Sequence, residues 1–211
     1  MIVMSHRGYW KSPQEKNTLV ALERSFRLGL GTETDLRDCD RKLVVSHDPA
    51  DHESLLAASL FQIHRDLAPT VPLALNVKAD GLQQLVADAL EKYSVKDAFV
   101  FDMSVPDMLR WVEAGIPVFT RHSEFEPDPA CYAQAAGVWL DAFRGEWWDV
   151  GVILRHCDAG KRVCIVSPEL HKREHRPTWD KLLAGDIQDT DQVMICTDYP
   201  QEAMRAMGRG N

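Results

Sequence analysis

Short runs of apolar residues alternate along the chain with longer segments in which apolar residues recur every three or four positions. The short runs predict buried strands, and the longer segments predict amphipathic helices. This alternation is typical of βα units that build a parallel sheet. The predicted strands comprise residues 2–5, 32–36, 73–77, 98–101, 117–120, 137–140, 163–166 and 193–197.

Helices are predicted where the apolar residues follow the 3.6-residue period and where capping residues precede them. Asn17 and Thr18 have the side chains of a helix N-cap, so the first helix begins after them. Gly29 and Gly31 end it. Further helices are predicted over residues 82–93, 106–114 and 201–207, and a short one over residues 55–63.

The order of these elements predicts an α/β fold. A tight turn at residues 39–41 places an additional strand, residues 43–46, beside the second strand. Eight buried strands joined by crossovers fit a (β/α)8 TIM barrel that forms a single domain, residues 1–211. Periodicity alone does not distinguish a barrel from an open doubly wound sheet. Because such barrels typically have about 250 residues, a chain of this length predicts short helices or loops.

Polar side chains follow the predicted strands, which is where the mouth of a barrel carries its functional residues. This clustering favours the barrel over the open sheet. The residues concerned are Arg7, Asp35, His47, Lys78, Asp102, Arg121, Asp141 and Asp198.

The composition narrows the class of protein. A net charge of −8 argues against nonspecific nucleic-acid binding, and no apolar run approaches the roughly 20 residues of a membrane span. An acidic protein that acts on an anion needs a local positive focus, such as a metal ion or a few cations. The five cysteines have no zinc-site spacing, and we expect reduced, mostly buried thiols in a cytoplasmic protein.

An ordered set of short motifs occupies the first fifty residues: His6-Arg7-Gly8, Lys16-Asn17-Thr18, Glu33-Thr34-Asp35 and His47-Asp48. The set resembles the opening of the glycerophosphodiester phosphodiesterase family, although Lys16 stands where the family has Glu. A weaker match is Thr197-Asp198-Tyr199-Pro200, which is similar to the family's closing motif. Each fragment is common alone, but the order and spacing together form a specific signal.

This resemblance implies a TIM-barrel phosphoric diester hydrolase that requires a divalent cation. The family cleaves glycerophosphodiesters, small molecules of lipid metabolism, to an alcohol and glycerol phosphate. The head group of the substrate and the oligomeric state are not readable from the sequence.

Glu33 and Asp35 are two positions apart on a predicted strand, so both side chains lie on one face of the sheet. Carboxylate oxygens suit Mg²⁺ or Ca²⁺. The two acids are therefore candidate metal ligands, and the alternative interpretation is a solvated strand edge.

His6 and His47 are candidates for the general base and the general acid, because imidazole exchanges protons near neutral pH. The resemblance implies these roles for the same two positions. Alternatively, each histidine only bonds backbone at a strand end. Arg7 offers a planar donor fork for phosphate oxygens, or for a salt bridge with Glu33 or Asp35. Asp48 is placed to orient His47 or to cap the next segment.

The third strand departs from the family pattern. The resemblance implies a metal-ligating Glu two residues before Lys78, but Asn76 occupies that position. An amide oxygen can ligate a hard cation without contributing charge, so Asp141 is a candidate replacement ligand. Lys78 is expected to contact phosphate or to balance the carboxylates. Arg121 is a weaker candidate for binding the leaving group.

Two other interpretations stay open. The protein binds a phosphorylated ligand without cleaving it, as the missing carboxylate at Asn76 indicates, or it hydrolyses a different phosphate ester. Four aromatic residues are candidates for the pocket walls, and the alternative is that they cover the outer layer or a dimer contact. The residues concerned are Trp10, Phe143, Trp147 and Trp148.

Overall fold

The computed structural model describes residues 1–185, 187 and 190–207. These residues form a mixed α/β fold. The chain divides into two compact units. We call Ser5–Val118 the N-terminal unit, and Met1–Met4 together with Phe119–Asn211 the C-terminal unit.

The N-terminal unit contains the end of the first strand and the elements up to residue 118. Its elements are β1 (Ile2–His6, of which Ser5 and His6 belong to this unit), α1 (Leu19–Arg27), β2 (Gly31–Cys39), β3 (Lys42–Val45), β4 (Leu55–Leu56), α2 (Ala57–Leu67), β5 (Leu73–Val77), α3 (Gln83–Lys92), β6 (Ala98–Phe101) and α4 (Val105–Glu113). β2, β5 and β6 are parallel neighbours. β3 forms the predicted hairpin with β2 through left-handed residues Asp40 and Arg41.

Helix α1 shows how local chemistry sets an element boundary. The Oγ1 atom of Thr18 accepts a hydrogen bond from the N–H of Ala21 and caps the helix. Thr18 is therefore the N-cap, and the interpretation of Asn17 as a cap is wrong. Leu22 and Phe26, four residues apart, are buried and form the apolar face of the helix.

The C-terminal unit continues the alternation of strands and helices. Its elements after residue 118 are β7 (Phe119–His122), β8 (Gly137–Leu140), α5 (Val150–Asp158), β9 (Arg162–Val166), α6 (Arg176–Ala184), β10 (Val193–Thr197) and α7 (Pro200–Ala206). β7, β8, β9 and β10 pair in parallel in that order. Gly137 is required by close packing, since a Cβ atom there would lie 2.4 Å from the ring of Phe119.

Most predicted strands agree with the structure to within one or two residues. The strand predicted over residues 117–120 begins later, at Phe119, and Val118 forms only an isolated bridge with Val100. The helix predicted over residues 55–63 is preceded by the short strand β4, which pairs with β3. Helices α5 and α6 were not predicted; in α5, β-branched residues and a glycine weaken the helical pattern.

Two composition-based predictions can be compared with the structure. All five cysteines lie within the described residues and none of them forms a disulfide there, but only Cys164 and Cys196 are fully buried. No helix in the described part of the chain has the length and apolar character needed to cross a membrane.

Candidate functional site

Two buried carboxylates lie at the centre of the site in the N-terminal unit. Glu33 and Asp35 belong to β2 and are almost inaccessible to solvent. Because they are two residues apart, they share one face of the sheet, as the sequence predicted. Asp35 stands opposite Asn76 of β5 in the parallel register, so the side chain of Asn76 lies on that face too. Burying an unpaired charge costs free energy, so these two acids need partners.

A sharp turn after β1 places Arg7 against both acids. Arg7 and Gly8 have φ values of +61° and +81°. The Arg7 N–H donates to the backbone oxygen of Glu33 at 3.0 Å and to its Oε2 at 3.1 Å. The Arg7 Nε lies 2.9 Å from Asp35 Oδ2. A Cβ atom at residue 8 would lie 2.8 Å from the backbone carbon of Ala21, so only glycine fits this turn.

Asn17 is a site residue that the sequence interpretation missed. Its Nδ2 donates to Asp35 Oδ2 at 2.8 Å, and its Oδ1 accepts a hydrogen bond from Thr34 Oγ1 at 2.9 Å. Its backbone N–H donates to the Arg7 oxygen at 3.0 Å. The signal was present in the sequence, because only one residue of the pair Asn17-Thr18 can be the N-cap of the helix.

Lys78 and Asp102 extend the charged cluster. The Lys78 Nζ lies 3.5 Å from Asp35 Oδ1 and 3.3 Å from Asp102 Oδ2. Asp102 follows β6 and has a φ value of +74°. The cationic side chain therefore bridges two acids from different strands. This contact agrees with the expectation that Lys78 balances the carboxylates.

Asn76 carries a buried hydrogen-bond acceptor with no bound donor. Asn76 is only 7% exposed, and its Oδ1 atom has no hydrogen-bond partner within the described ranges. An unsatisfied buried acceptor costs free energy of about 1–3 kcal/mol. Such an atom on the face that carries Asp35 is an available oxygen ligand.

His6 ends β1 beside Glu33. Its Nε2 lies 3.9 Å from Glu33 Oε2, and its backbone oxygen accepts a hydrogen bond from Trp10 Nε1 at 3.1 Å. Burial raises the pKa of Glu33 to about 7, with a second contribution from the negative charge of Asp35. The positive charges of His6, Arg7 and Lys78 oppose this shift. Glu33 is thus poised between its two protonation states near neutral pH.

His47 lies in the loop after β3, and its side chain is about half exposed. Its Nδ1 is 2.9 Å from Asp48 Oδ1. The Arg37 guanidinium donates to the His47 backbone oxygen at 3.1 and 3.2 Å. A cleft of about 550 Å³ in the N-terminal unit is lined by His47 together with Arg7 and Asn17. The structure therefore brings His47 into one cleft with the residues that hold Asp35.

Three predicted residues belong to the C-terminal unit. Asp141 is buried, and its Oδ1 accepts hydrogen bonds from His171 Nε2 at 2.7 Å and from the Ala142 N–H at 2.8 Å. The Arg121 guanidinium lies 3.6 Å from Glu126 Oε2 and packs over the ring of Phe143. The backbone N–H of Asp198 donates to Glu169 Oε1 at 3.0 Å.

The four aromatic residues that are candidates for the pocket walls have different environments. Trp148 is buried, so it contributes to packing. Trp147 Nε1 donates to the Asp141 oxygen, and Phe143 packs beside His171 at 4.9 Å between ring centroids. In the N-terminal unit, the Lys16 ammonium lies 4.5 Å from the ring centre of Trp10.

The donor atoms of the site can be compared with the needs of a divalent cation. Across the residues that the structure describes, no three His, Cys, Asp or Glu side chains converge as a ready-made metal site. The face that carries Glu33, Asp35 and Asn76 nevertheless offers two carboxylates and one unbonded amide oxygen. Hard oxygen donors of this kind fit Mg²⁺ or Ca²⁺, which complete their coordination with water or phosphate.

The fold can now be assigned to a class. No protein-family model matches the chain. No curated protein sequence matches it either. Solved structures do match it over nearly their full lengths, and they belong to TIM-barrel enzymes. The chain therefore has the (β/α)8 fold that the sequence predicted, and the open doubly wound sheet is excluded.

Particular structures within this class define the likeness more closely. A protein of Galdieria sulphuraria assigned to the glycerophosphodiester phosphodiesterases has 18% identity and a TM-score of 0.76, with 98% of this chain and 97% of that chain covered. An Oleispira antarctica phosphodiesterase, in complex with the product sn-glycerol-3-phosphate, has 17% identity, a TM-score of 0.73 and coverages of 99% and 97%. A Ca²⁺-dependent phosphatidylinositol-specific phospholipase C of Streptomyces antibioticus has 10% identity, a TM-score of 0.53 and coverages of 98% and 95%. The likeness to these structures is one of fold, and it extends over nearly the whole chain.

Proposed function

We propose that this protein is a metal-dependent phosphodiester hydrolase that cleaves glycerophosphodiesters to an alcohol and glycerol phosphate. The observation that carries the proposal is the buried pair Glu33 and Asp35, which shares one face with an unbonded amide oxygen and is bracketed by Arg7 and Lys78. The likeness of the whole chain to a phosphodiesterase solved with sn-glycerol-3-phosphate supports this substrate class.

The proposed metal ligands are Glu33, Asp35 and Asn76. A divalent cation bound there would polarise a phosphoryl oxygen of the substrate. We favour Asn76 over Asp141 as the third ligand, because Asp141 Oδ1 already accepts two hydrogen bonds whereas Asn76 Oδ1 accepts none within the described structure. Mg²⁺ and Ca²⁺ are both compatible with oxygen ligands.

The proposed proton carriers are His6 and His47. One removes a proton from the attacking oxygen, and the other donates a proton to the leaving alkoxide, so that protons balance over the reaction. Asp48 at Nδ1 of His47 selects the ring tautomer and leaves Nε2 for the substrate. Arg7 and Lys78 offset the negative charge of the phosphate, and Arg121 is a candidate for binding the leaving group.

The decisive experiment measures hydrolysis of glycerophosphodiesters and of bis-para-nitrophenyl phosphate with Mg²⁺, Ca²⁺ or Mn²⁺, and again with a chelator. We expect activity that requires the metal. The substitution His47→Ala is expected to lower kcat about 10²–10⁴-fold, since that is the usual contribution of a general acid or base. The side chain is half exposed, so the fold should be retained.

His52→Ala provides a matched control, because His52 is an exposed histidine five residues further along the chain. Circular dichroism and thermal melting would check the fold of both variants. An active His47→Ala enzyme would remove His47 from the mechanism. Faster turnover of phosphomonoesters would indicate a hydrolase of a different phosphate ester.

One observation favours a second function, in which the protein binds a phosphorylated ligand without cleaving it. Asn76 brings no charge, so the cation would be held by two carboxylates that Arg7 and Lys78 partly neutralise. Calorimetric binding of a phosphodiester, with no cleavage under any of the three metals, would support the binding function over the hydrolase.

A further inference from the structure

Asn17 makes three hydrogen bonds that join separate parts of the site. Its side-chain Nδ2 donates to Asp35 Oδ2 at 2.8 Å, and its Oδ1 accepts from Thr34 Oγ1 at 2.9 Å. Its backbone N–H donates to the Arg7 oxygen at 3.0 Å. One residue thereby connects the strand that carries the acids with the turn that carries Arg7.

The orientation of the Asn17 amide is determined by its neighbours. Thr34 is fully buried, and its hydroxyl donates to the amide oxygen, so the amide NH₂ group must face Asp35. Asn17 also has a φ value of +60°. Asparagine tolerates this left-handed conformation better than most residues. Both its backbone and its side chain are therefore suited to this position.

Asn17 differs in charge from the other donors to Asp35. Arg7 and Lys78 are cations that lie 2.9 and 3.5 Å from the Asp35 oxygens, so each partly neutralises the carboxylate. The Asn17 amide is neutral and orients the carboxylate without reducing its charge. A ligand for a divalent cation needs a fixed direction, which hydrogen-bond partners outside the coordination shell supply.

We infer that Asn17 is a positioning residue, which holds the Asp35 carboxylate and the Arg7 turn in the arrangement that binds the cation and the substrate phosphate. This inference rests on the proposed function. Asn17 acts through Asp35 and Arg7 and does not itself react with the substrate.

The substitution Asn17→Gly tests this role, because glycine adopts the left-handed conformation without strain and removes only the amide. Ser94→Gly is the matched control, since Ser94 is exposed, has a φ value of +55° and lies in the same unit. The readouts are Mn²⁺ binding by electron paramagnetic resonance, kcat and KM for diester hydrolysis, and the thermal midpoint without metal.

For Asn17→Gly we expect the Mn²⁺ dissociation constant to rise about tenfold, as losses of outer-shell partners typically cost about 10–100-fold. We expect kcat to fall by about 10–100-fold while KM changes by less than about threefold, because positioning affects the reacting geometry more than ground-state binding. The metal-free thermal midpoint should fall further than that of Ser94→Gly, because two hydrogen bonds to buried groups are lost. The positioning role is therefore decided by the Mn²⁺ affinity and by the separate effects on kcat and KM. Thr34→Val should raise the Mn²⁺ dissociation constant and lower kcat, each by about threefold. The effect is smaller because this substitution removes only the hydroxyl that orients the amide.

The possible outcomes separate this inference from the proposed function. Unchanged Mn²⁺ affinity and kcat in Asn17→Gly would overturn the positioning role alone. Mn²⁺ binding without diester cleavage by the wild-type protein would overturn the hydrolase, while the binding measurements would still decide the role of Asn17. A wild-type protein that binds no Mn²⁺ would overturn both. Should Asn17→Gly not fold, the effect or absence of effect of Thr34→Val decides the question.

Discussion

Two polar clusters at strand ends, one in each unit, differ in how fully their acids are hydrogen bonded. In the Glu169 cluster of the C-terminal unit, Oε2 of Glu169 accepts from Ser167 Oγ at 2.5 Å, and Oε1 accepts from Thr197 Oγ1 at 2.5 Å and from the Asp198 N–H at 3.0 Å. Ser167 in turn accepts a hydrogen bond from Trp179 Nε1. Both oxygens of this carboxylate have donors.

The acid pair of the N-terminal unit is less fully hydrogen bonded, since Asp35 Oδ1 has no hydrogen-bond partner among the described residues and lies 3.5 Å from Lys78 Nζ. Glu33 and Asp35 are buried side by side, and burial together with their mutual repulsion raises the pKa of Glu33. Asn76 Oδ1, on the same face, has no donor in the described part of the molecule. Buried polar groups are normally hydrogen bonded, so an exception calls for an explanation such as a bound ion. We therefore expect the Glu169 cluster to stabilise the fold, whereas the acid pair is where we propose that a cation binds.

The largest expected effect concerns the acid pair. Glu33→Gln should lower diester hydrolysis by about 10³-fold, which corresponds to about 4 kcal/mol of transition-state stabilisation. The same substitution should raise the free energy of unfolding of the metal-free protein by about 1–3 kcal/mol at pH 8. The folded-state pKa of Glu33 is about 7 against an ordinary value of 4.5, so metal-free stability is present below pH 4.5 and is lost as the pH rises through 7.

Urea denaturation in a chelator at pH 4.5 and pH 8 would measure this effect. We expect the advantage of Glu33→Gln at pH 8 to disappear at pH 4.5, where the wild-type side chain is largely protonated. A variant less stable than the wild type at pH 8 would show that Glu33 stabilises the fold as Glu169 does, and the contrast between the clusters would be lost.

The second prediction concerns the Glu169 cluster. Glu169→Gln should lower the free energy of unfolding by about 2 kcal/mol, because hydrogen bonds to a charged acceptor are worth about 1.5–3 kcal/mol and an amide cannot accept from both buried hydroxyls. Glu91→Gln, at an exposed position of α3, is the control and should change stability by less than about 0.5 kcal/mol. Equal stability of the two variants, in urea melts, would contradict the structural role of Glu169.

A third prediction uses a different polar chain in the C-terminal unit. Tyr132 Oη lies 2.8 Å from His156 Nδ1, and His156 Nε2 lies 2.9 Å from His122 Nδ1. Burial, and next the positive charge of His122, lower the pKa of His156 to about 4. The folded-state pKa is below the ordinary value of 6.5, so stability is present above pH 6.5 and is lost as the pH falls towards 4.

The stability lost between pH 7 and pH 4.5 through His156 should be about 2 kcal/mol. His156→Phe should show a pH dependence that is weaker by this amount, whereas His52→Phe, at an exposed position, should show the dependence of the wild type. As the pH rises, the contribution of His156 to stability increases whereas that of Glu33 decreases. The pH dependence of stability therefore distinguishes the two regions. If stability depended on pH in the same way in His156→Phe and His52→Phe, the lowered pKa of His156 would be contradicted.

The smallest expected effect concerns the unbonded amide. Asn76→Leu should change metal-free stability by a gain of no more than about 1 kcal/mol, because it removes a buried acceptor that lacks a donor. Asn76→Asp should instead tighten Mn²⁺ binding about tenfold, or about 1.4 kcal/mol, by adding a charge among the ligands. Unchanged Mn²⁺ affinity in both variants, measured by calorimetry, would place Asn76 outside the metal site.

Local patterns predicted much of the fold and part of the site. The period of two along β2 predicted that Glu33 and Asp35 share a face, and the turn residues 39–41 predicted the hairpin. Asn17 was misinterpreted, because a cap signal is local whereas its true partner, Asp35, is 18 residues away. The contact between Lys78 and Asp102, 24 residues apart, likewise depends on which strands become neighbours.

By itself the sequence predicted most of the strands, the barrel class and the candidate site residues, because side-chain periodicity and motif order are properties of the chain. Only the tertiary structure decided which donors each acid receives. Asp35 obtains Asn17, Arg7 and Lys78 as neighbours, while Asn76 Oδ1 receives no donor from any described residue. Whether a buried polar group is satisfied depends on strand register and on turns with positive φ, and these are set by packing over the whole unit.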